Sequence, residues 1–203
     1  MTPDGRPVAV VLAGGLARRM GGGDKGLLRL RRRPMLDHVL DAIRPQVGAI
    51  AINANGDARR FLHWGLPVLA DPVPDNPGPL AGILAGLRWA RQTQPGAALL
   101  LSVPTDTPLL PPDLVQRLQQ ARVQAGTAIA CAASAGQRHP VVALWPVTLA
   151  DPLADALASG VRSVEAFAAA HGVTAVEFAA APADPFLNVN EPADLLQAAR
   201  VLG

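Results

Sequence analysis

Five apolar residues, Val8–Leu12, empty directly into a glycine-rich, basic stretch that runs from Ala13 to Gly26. A short, unbroken apolar run of this kind reads as a buried strand. The residues after it limit what the chain can become. Glycines let successive backbone N–H groups turn toward one anion, and Arg18, Arg19 and Lys25 add charge, so the stretch suits phosphates. A loop needed only as a connection would not carry so many glycines, because each one costs conformational entropy. The pattern points to a nucleotide-binding enzyme.

Two familiar phosphate motifs are excluded. Gly21 to Gly26 satisfies the spacing G-x-G-x-x-G, but that fingerprint begins at the strand end, opens directly into a helix and is succeeded by an acid about 20 residues on. Here the glycine triplet lies well past Leu12, and the second expected strand ends in Asn53. The Walker loop needs Gly before its Lys and Ser or Thr after it, whereas Lys25 stands between Asp24 and Gly26.

Composition narrows the class further. With 203 residues, half of them hydrophobic, the chain is expected to form one domain over 1–203 with a sizeable core. A formal net charge of +2 offers no argument for a nucleic-acid partner. The basic residues instead crowd locally: Arg18, Arg19, Lys25, Arg29, Arg31, Arg32 and Arg33 come after the first strand with Asp24 the sole acid among them, which suits a small polyanion. Arg31 to Arg33, just ahead of Pro34, read as a solvated turn. Cys131 is the only cysteine, which excludes an intramolecular disulfide and a cysteine-built metal site; it reads as a small buried hydrophobe. No apolar run reaches the roughly 20 residues of a membrane helix, and the N-terminus lacks a signal-peptide pattern, so a cytoplasmic protein is expected.

Along the chain, strands are expected at 48–53, 66–70, 97–103, 127–133, 139–145 and 173–178, with a further strand-like run at 186–190. Helices are expected at 34–43, 57–62, 80–90, 112–123, 149–157, 161–170 and 193–201. Alternation of apolar strands with helices argues for a mostly parallel sheet covered on both faces. In such sheets the ligand sits outside the carboxyl ends of the strands. The first strand ends at the glycine stretch, and the next three at Asn53, Asp71 and Asp106, which places these residues on one edge.

Asp106, hemmed by Thr105, Thr107 and prolines, offers one carboxylate. That is poor for a calcium cage but suits magnesium, which keeps waters and takes further oxygens from substrate phosphates; the plainer alternative is a turn cap. Asn53 and Asp71 either close their strands or bond a base or ribose. The segment from Gly78 to Gly82 would bring backbone close to that ligand at a helix start. Asn188 and Asn190 alternate and so point one way, toward a polar second substrate. The four histidines, 38, 63, 139 and 171, show no metal-ligand spacing; His139, before Pro140, is the one that could line the site.

Taken together, these residues resemble the molybdenum cofactor guanylyltransferase family. The likeness runs from Leu12-Ala13-Gly14-Gly15 through Arg19-Met20-Gly21 and Asp24-Lys25-Gly26, then Asn53, Asp71, Gly78-Pro79-Leu80-Ala81-Gly82, Asp106-Thr107-Pro108, His139-Pro140 and Phe186-Leu187-Asn188-Val189-Asn190. It implies a three-layer α/β/α sandwich with a Rossmann-like sheet of the nucleotidyltransferase type. It further implies that Leu12, Ala13, Gly14, Gly15, Lys25, Asn53, Asp71, Gly78, Gly82 and Asp106 bind GTP, that Asp106 holds Mg²⁺ (or Mn²⁺), and that Asn188 and Asn190 face a molybdopterin. Arg19, Lys25 and Asp106 would be the catalytic set. Other cofactor-biosynthesis proteins or recipient molybdoenzymes are the implied protein partners. Glu191 departs from the family, which commonly has threonine there, and would weaken an anionic substrate's binding if it turned inward.

The expected reaction is attack by the terminal phosphate of molybdopterin on the α-phosphorus of GTP, with release of pyrophosphate. The rivals are cytidylyl transfer to the same cofactor, transfer to a sugar phosphate, and a non-catalytic carrier of nucleotide or cofactor.

Overall fold

The computed structural model describes residues 5–14, 24–73 and 78–202. Its centre is a seven-stranded sheet. The first strand, β1, is Val8–Leu12. A small hairpin, β2 (Arg29–Leu30) and β3 (Arg33–Pro34), comes next, then helix α1 (Met35–Ile43) and strands β4 (Ile50–Asn53) and β5 (Val68–Leu69). Helix α2 is Pro79–Thr93, β6 Leu99–Pro104, α3 Leu114–Ala125, β7 Ile129–Ser134 and β8 Gln137–Pro146. The chain closes with α4 (Ala150–Ala158), α5 (Val164–Ala170), β9 (Val173–Phe178) and α6 (Pro192–Val201).

The sheet order is β5-β4-β1-β6-β8-β7-β9. All pairings are parallel except those of β8, which runs antiparallel to both β6 and β7. After β1 the chain builds outward to β4 and β5, then returns to lay β6 on the other flank of β1. Strand order therefore reverses between β1 and β6, where loops diverge and a ligand crevice opens.

Strand periodicity sorts the core into two layers. On β1, Ala9 and Val11 face α1 and α3, packing with Leu36, Val39, Leu40, Leu114 and Leu118. Val8, Val10 and Leu12 face α2, α4 and α5, packing with Ile83, Leu87, Leu153 and Phe167. Each buried aliphatic side chain is worth about 1.5–3 kcal/mol, and a one-residue slip would exchange the two faces, so the register is firmly set. Helix α2 lies close on the sheet because it has glycines where it touches: a Cβ at Gly86 would stand 2.7 Å from Val10 Cγ1. Helix α1 buries Leu36, Val39, Leu40 and Ile43 at helical spacing and gives way at Arg44–Gln46, where Pro45 cannot continue the ladder.

Several expectations shift. Pro34 belongs to β3, and the helix expected over 34–43 begins at Met35; Arg31 and Arg32 form the hairpin turn with φ of 49° and 69°. The helix expected over 57–62 is a tighter 3₁₀ segment, Ala58–Trp64. Residues 186–190 are not a strand, because the segment pairs with no neighbouring strand and is anchored by the Val189 N–H donating to the Asp106 carbonyl at 2.8 Å. The alternation persists all the same: Val189 is buried, Asn188 exposed and Asn190 intermediate. Cys131 is buried, and burial pushes its thiol up from the ordinary range, which removes it as a nucleophile. No helix among the described residues is long and apolar enough to cross a membrane.

Candidate active site

At the carboxyl edge of the sheet lies a cleft of about 440 Å³. Leu12, Gly14, Asn53, Asp71, Gly78 and Pro79 line it from the β1, β4, β5 and α2 ends. Thr105, Asp106 and Thr107 line it from the end of β6, and residues 137–142 with Asn188 from the flank of β8. Gly15 and Arg19 lie outside the described residues, as does the glycine run 21–23. Ala13 does not line the cleft; it is buried, and its N–H donates to the Asn53 carbonyl at 2.8 Å, which ties β1 to β4 at the edge.

Three segments meet at Lys25. Its ammonium lies 3.1 Å from Asp106 Oδ2 and also donates to Asn190 Oδ1. Gly26 makes the approach possible, because a Cβ there would stand 3.0 Å from Thr105 Cβ. An ammonium has three donors; among the described residues Asp106 and Asn190 take two of them, which leaves the third to a ligand. The Lys25 and Asp106 side chains are 16% and 20% exposed, so the pair is part-buried and the cost of desolvating both charges offsets much of their attraction. Its significance is positional: Asp106 Oδ1 takes no hydrogen bond from any described residue and is open to a cation or a phosphate-bound metal.

Arg60 carries no mark in the sequence. Its Nε donates to Asp24, its Nη1 to the Asp57 carbonyl at 2.5 Å and its Nη2 to the Asn55 carbonyl at 2.6 Å, which latches the residue just before Lys25. No local signal could have singled it out, since its charged partner is 36 residues away.

Asn53 and Asp71 do come together. Asn53 Nδ2 donates to Asp71 Oδ1 at 2.9 Å and to the Leu69 carbonyl at 3.1 Å. Asn55, equally unmarked in the sequence, donates to Asp71 Oδ2 at 2.7 Å and accepts from the Asp71 N–H at 2.9 Å. Both carboxylate oxygens are thus oriented by amides before any ligand arrives. Gly82 has a different role from the expected one. It is buried and does not line the cleft; a Cβ there would stand 2.2 Å from Asn53 Oδ1 and 2.7 Å from Leu12 Cδ2, so its lack of a side chain lets Asn53 sit where it does.

The β8 wall is shaped by a break in register. Cys131 pairs with Ala143 but Ala132 with His139, so residues 140–142 are extra to the β7 ladder. Pro140 has no N–H to give, and the resulting bulge carries 139–142 into the cleft. The Val141 carbonyl is held by Ser102 Oγ at 2.6 Å, which in turn accepts from Trp145 Nε1 at 2.8 Å. His139 lies against Phe186, ring centroids 4.9 Å apart. Its Nε2 is 2.7 Å from Ser134 Oγ, which donates to Asp184 Oδ1 at 2.8 Å. Ser134 and Asp184 carried no sequence signal.

Glu191 stays out of the cleft: with Asp194 it forms the capping box of α6, whose Asp194 Oδ2 accepts from the Asn190 and Glu191 N–H groups at 2.8 and 2.9 Å. No group of three or more acidic, histidine or cysteine residues could cage a metal among the described residues. A single open carboxylate fits an ion such as Mg²⁺ that completes its shell with water and phosphate oxygens.

Residues 9–176 match the family described as the MobA-like NTP transferase domain. A molybdenum cofactor guanylyltransferase of Rhodopseudomonas palustris (strain BisB5) is 53% identical over 194 residues, covering 95% of this chain and 92% of that protein. One from strain HaA2 is 51% identical over 193 residues, covering 95% and 90%. Among solved structures, molybdopterin-guanine dinucleotide biosynthesis protein A from Archaeoglobus fulgidus superposes with a TM-score of 0.70 at 22% identity, over 96% of this chain and 98% of that one. By sequence over most of its length and by fold, the chain belongs to the MobA-like NTP transferase family.

Proposed function

We propose that this protein is a cytoplasmic molybdenum cofactor guanylyltransferase that moves GMP from GTP to the terminal phosphate of molybdopterin. The observation that carries the reading is the meeting of Lys25, Asp106 and Asn190, which joins the phosphate stretch, the candidate metal carboxylate and the acceptor segment in one cluster.

An oxygen of the acceptor phosphate forms the new bond to the α-phosphorus of GTP, and the bond from that phosphorus to the α,β-bridging oxygen breaks, that oxygen and its electron pair leaving on pyrophosphate. A phosphate monoester has a second pKa near ~6, so the nucleophile is already ionised at neutral pH and needs no general base. The chain's work is alignment and charge. Lys25 brings its remaining N–H to the phosphates while Asp106 and Asn190 hold its direction. Leu12, Ala13, Gly14 and Gly15 shape the backbone around them, Arg19 adds charge, and Asn53, Asp71 and Gly78 bind the nucleoside. Gly82 serves that same end from below, by making room for Asn53. Asn188 and Asn190 hold the pterin. Mg²⁺ on Asp106, or Mn²⁺ with its similar taste for oxygen, would supply Lewis-acid neutralisation of the phosphate charge.

The test is pyrophosphate release with each of the four ribonucleoside triphosphates, with and without molybdopterin. Release is expected only with GTP and molybdopterin together. Release with CTP, or stoichiometric GTP binding without release, would replace this reading with a cytidylyltransferase or a carrier.

A further inference from the structure

Buried Ser134 stands between a carboxylate and an imidazole: its Oγ is 2.8 Å from Asp184 Oδ1 and 2.7 Å from His139 Nε2. A carboxylate only accepts, and a hydroxyl has one proton to give. The Ser134 proton therefore goes to Asp184, which is further fixed by the Phe186 N–H at 2.9 Å. Ser134 is left able only to accept from His139, so the ring carries its proton on Nε2. Burial pushes His139 below its ordinary value, against the opposing pull of Asp184 and Glu177, which keeps the ring neutral near pH 7. Nδ1 is then a bare acceptor, and no described residue donates to it.

His139 lines the cleft on the β8 flank, as does Asn188, and lies against Phe186, two residues before Asn188. Asn53 ends β4, three strand spacings away through β1 and β6, or about 14 Å. The ring thus belongs to the acceptor's half of the cleft, not the nucleoside's. We infer that His139 is a specificity-determining residue for the second substrate: Asp184, acting through Ser134, fixes it as the Nε2–H tautomer so that Nδ1 accepts a hydrogen bond from an N–H of the pterin. Ser134 and Asp184 are positioning residues, and the identity of the donor rests on the proposed acceptor.

His139→Gln keeps an N–H within reach of Ser134 but has no acceptor at the ring Nδ1 position. It is expected to raise KM for molybdopterin about tenfold, the worth of one lost hydrogen bond to a buried donor, with KM for GTP and kcat little changed. His139→Asn, whose amide oxygen branches from the same carbon as Nδ1, is expected to recover most of that loss. In protein labelled with ¹⁵N-histidine, His139 should show protonated Nε2 and bare Nδ1, and Ser134→Ala should release the tautomer. An Nδ1-protonated ring in the wild-type protein overturns the inference whether or not GMP is transferred. Unchanged KM for molybdopterin in His139→Gln overturns it while leaving the transfer reaction intact. Absence of transfer by wild-type protein overturns the proposed function and, with it, the pterin as the donor.

Discussion

Replacing Asp106 with alanine is expected to lower GMP transfer by on the order of a thousandfold, about 4 kcal/mol of transition-state stabilisation. The substitution removes the open Oδ1 proposed as the metal ligand and the Oδ2 that directs Lys25 3.1 Å away. The carboxylate does not itself neutralise phosphate charge; its loss costs several kcal/mol because the cation it is proposed to hold and the Lys25 ammonium it directs are what oppose the charge on the phosphates. The fold should survive. It is the Asp106 carbonyl, not its carboxylate, that anchors Val189, and the Lys25 ammonium left behind keeps Asn190 as a partner and some exposure to water. Steady-state transfer at saturating GTP and magnesium, with thermal unfolding alongside, checks both halves. A loss below about tenfold with an intact fold would remove Asp106 from the mechanism.

Lys25→Ala is expected to cost between about a hundredfold and a thousandfold in transfer, the range found when one preorganised donor is removed from a developing charge. Among the described residues, Lys25 is the side chain that touches both Asp106 and Asn190, so its loss separates the proposed metal carboxylate from the proposed acceptor segment as well as removing a cation. Lys25→Arg is expected to rescue little. A planar guanidinium cannot reproduce a compact ammonium held between a carboxylate and an amide oxygen. The comparison is read as kcat for the three proteins with GTP and molybdopterin saturating. Near-wild-type kcat in Lys25→Ala would show that phosphate charge is met elsewhere.

The parallel half of the sheet was legible because β1, β4 and β6 are unbroken apolar runs whose ends, Leu12-Ala13, Asn53 and Asp106, fall on one edge. The shared sheet edge set Asp106 opposite the glycine stretch, whereas the contact of Lys25 with Asp106 and Asn190, 81 and 165 residues away, had no sign in the spacing. The antiparallel direction of β8 was not legible, because an apolar strand carries no mark of its orientation. Pro140 was the available sign of the bulge, as a proline cannot take part fully in a ladder. Arg60, Asn55, Ser134 and Asp184 are silent in the sequence for a common reason: each acts through a partner 5 to 50 residues away that tertiary packing brings near. Gly82 reads in the sequence as an approach to ligand, whereas its neighbour is Asn53; sequence shows that a side chain is missing but not what occupies its place.

One cleft is proposed to join a guanine nucleotide to a pterin phosphate. The most direct test gives the protein GTP labelled at the α-phosphate, an equimolar amount of unlabelled CTP, magnesium and molybdopterin, and tracks the label. Label is expected in a pterin–guanine dinucleotide, with one pyrophosphate released for each dinucleotide formed. Label retained in GTP, or a cytosine dinucleotide as the product, would contradict it.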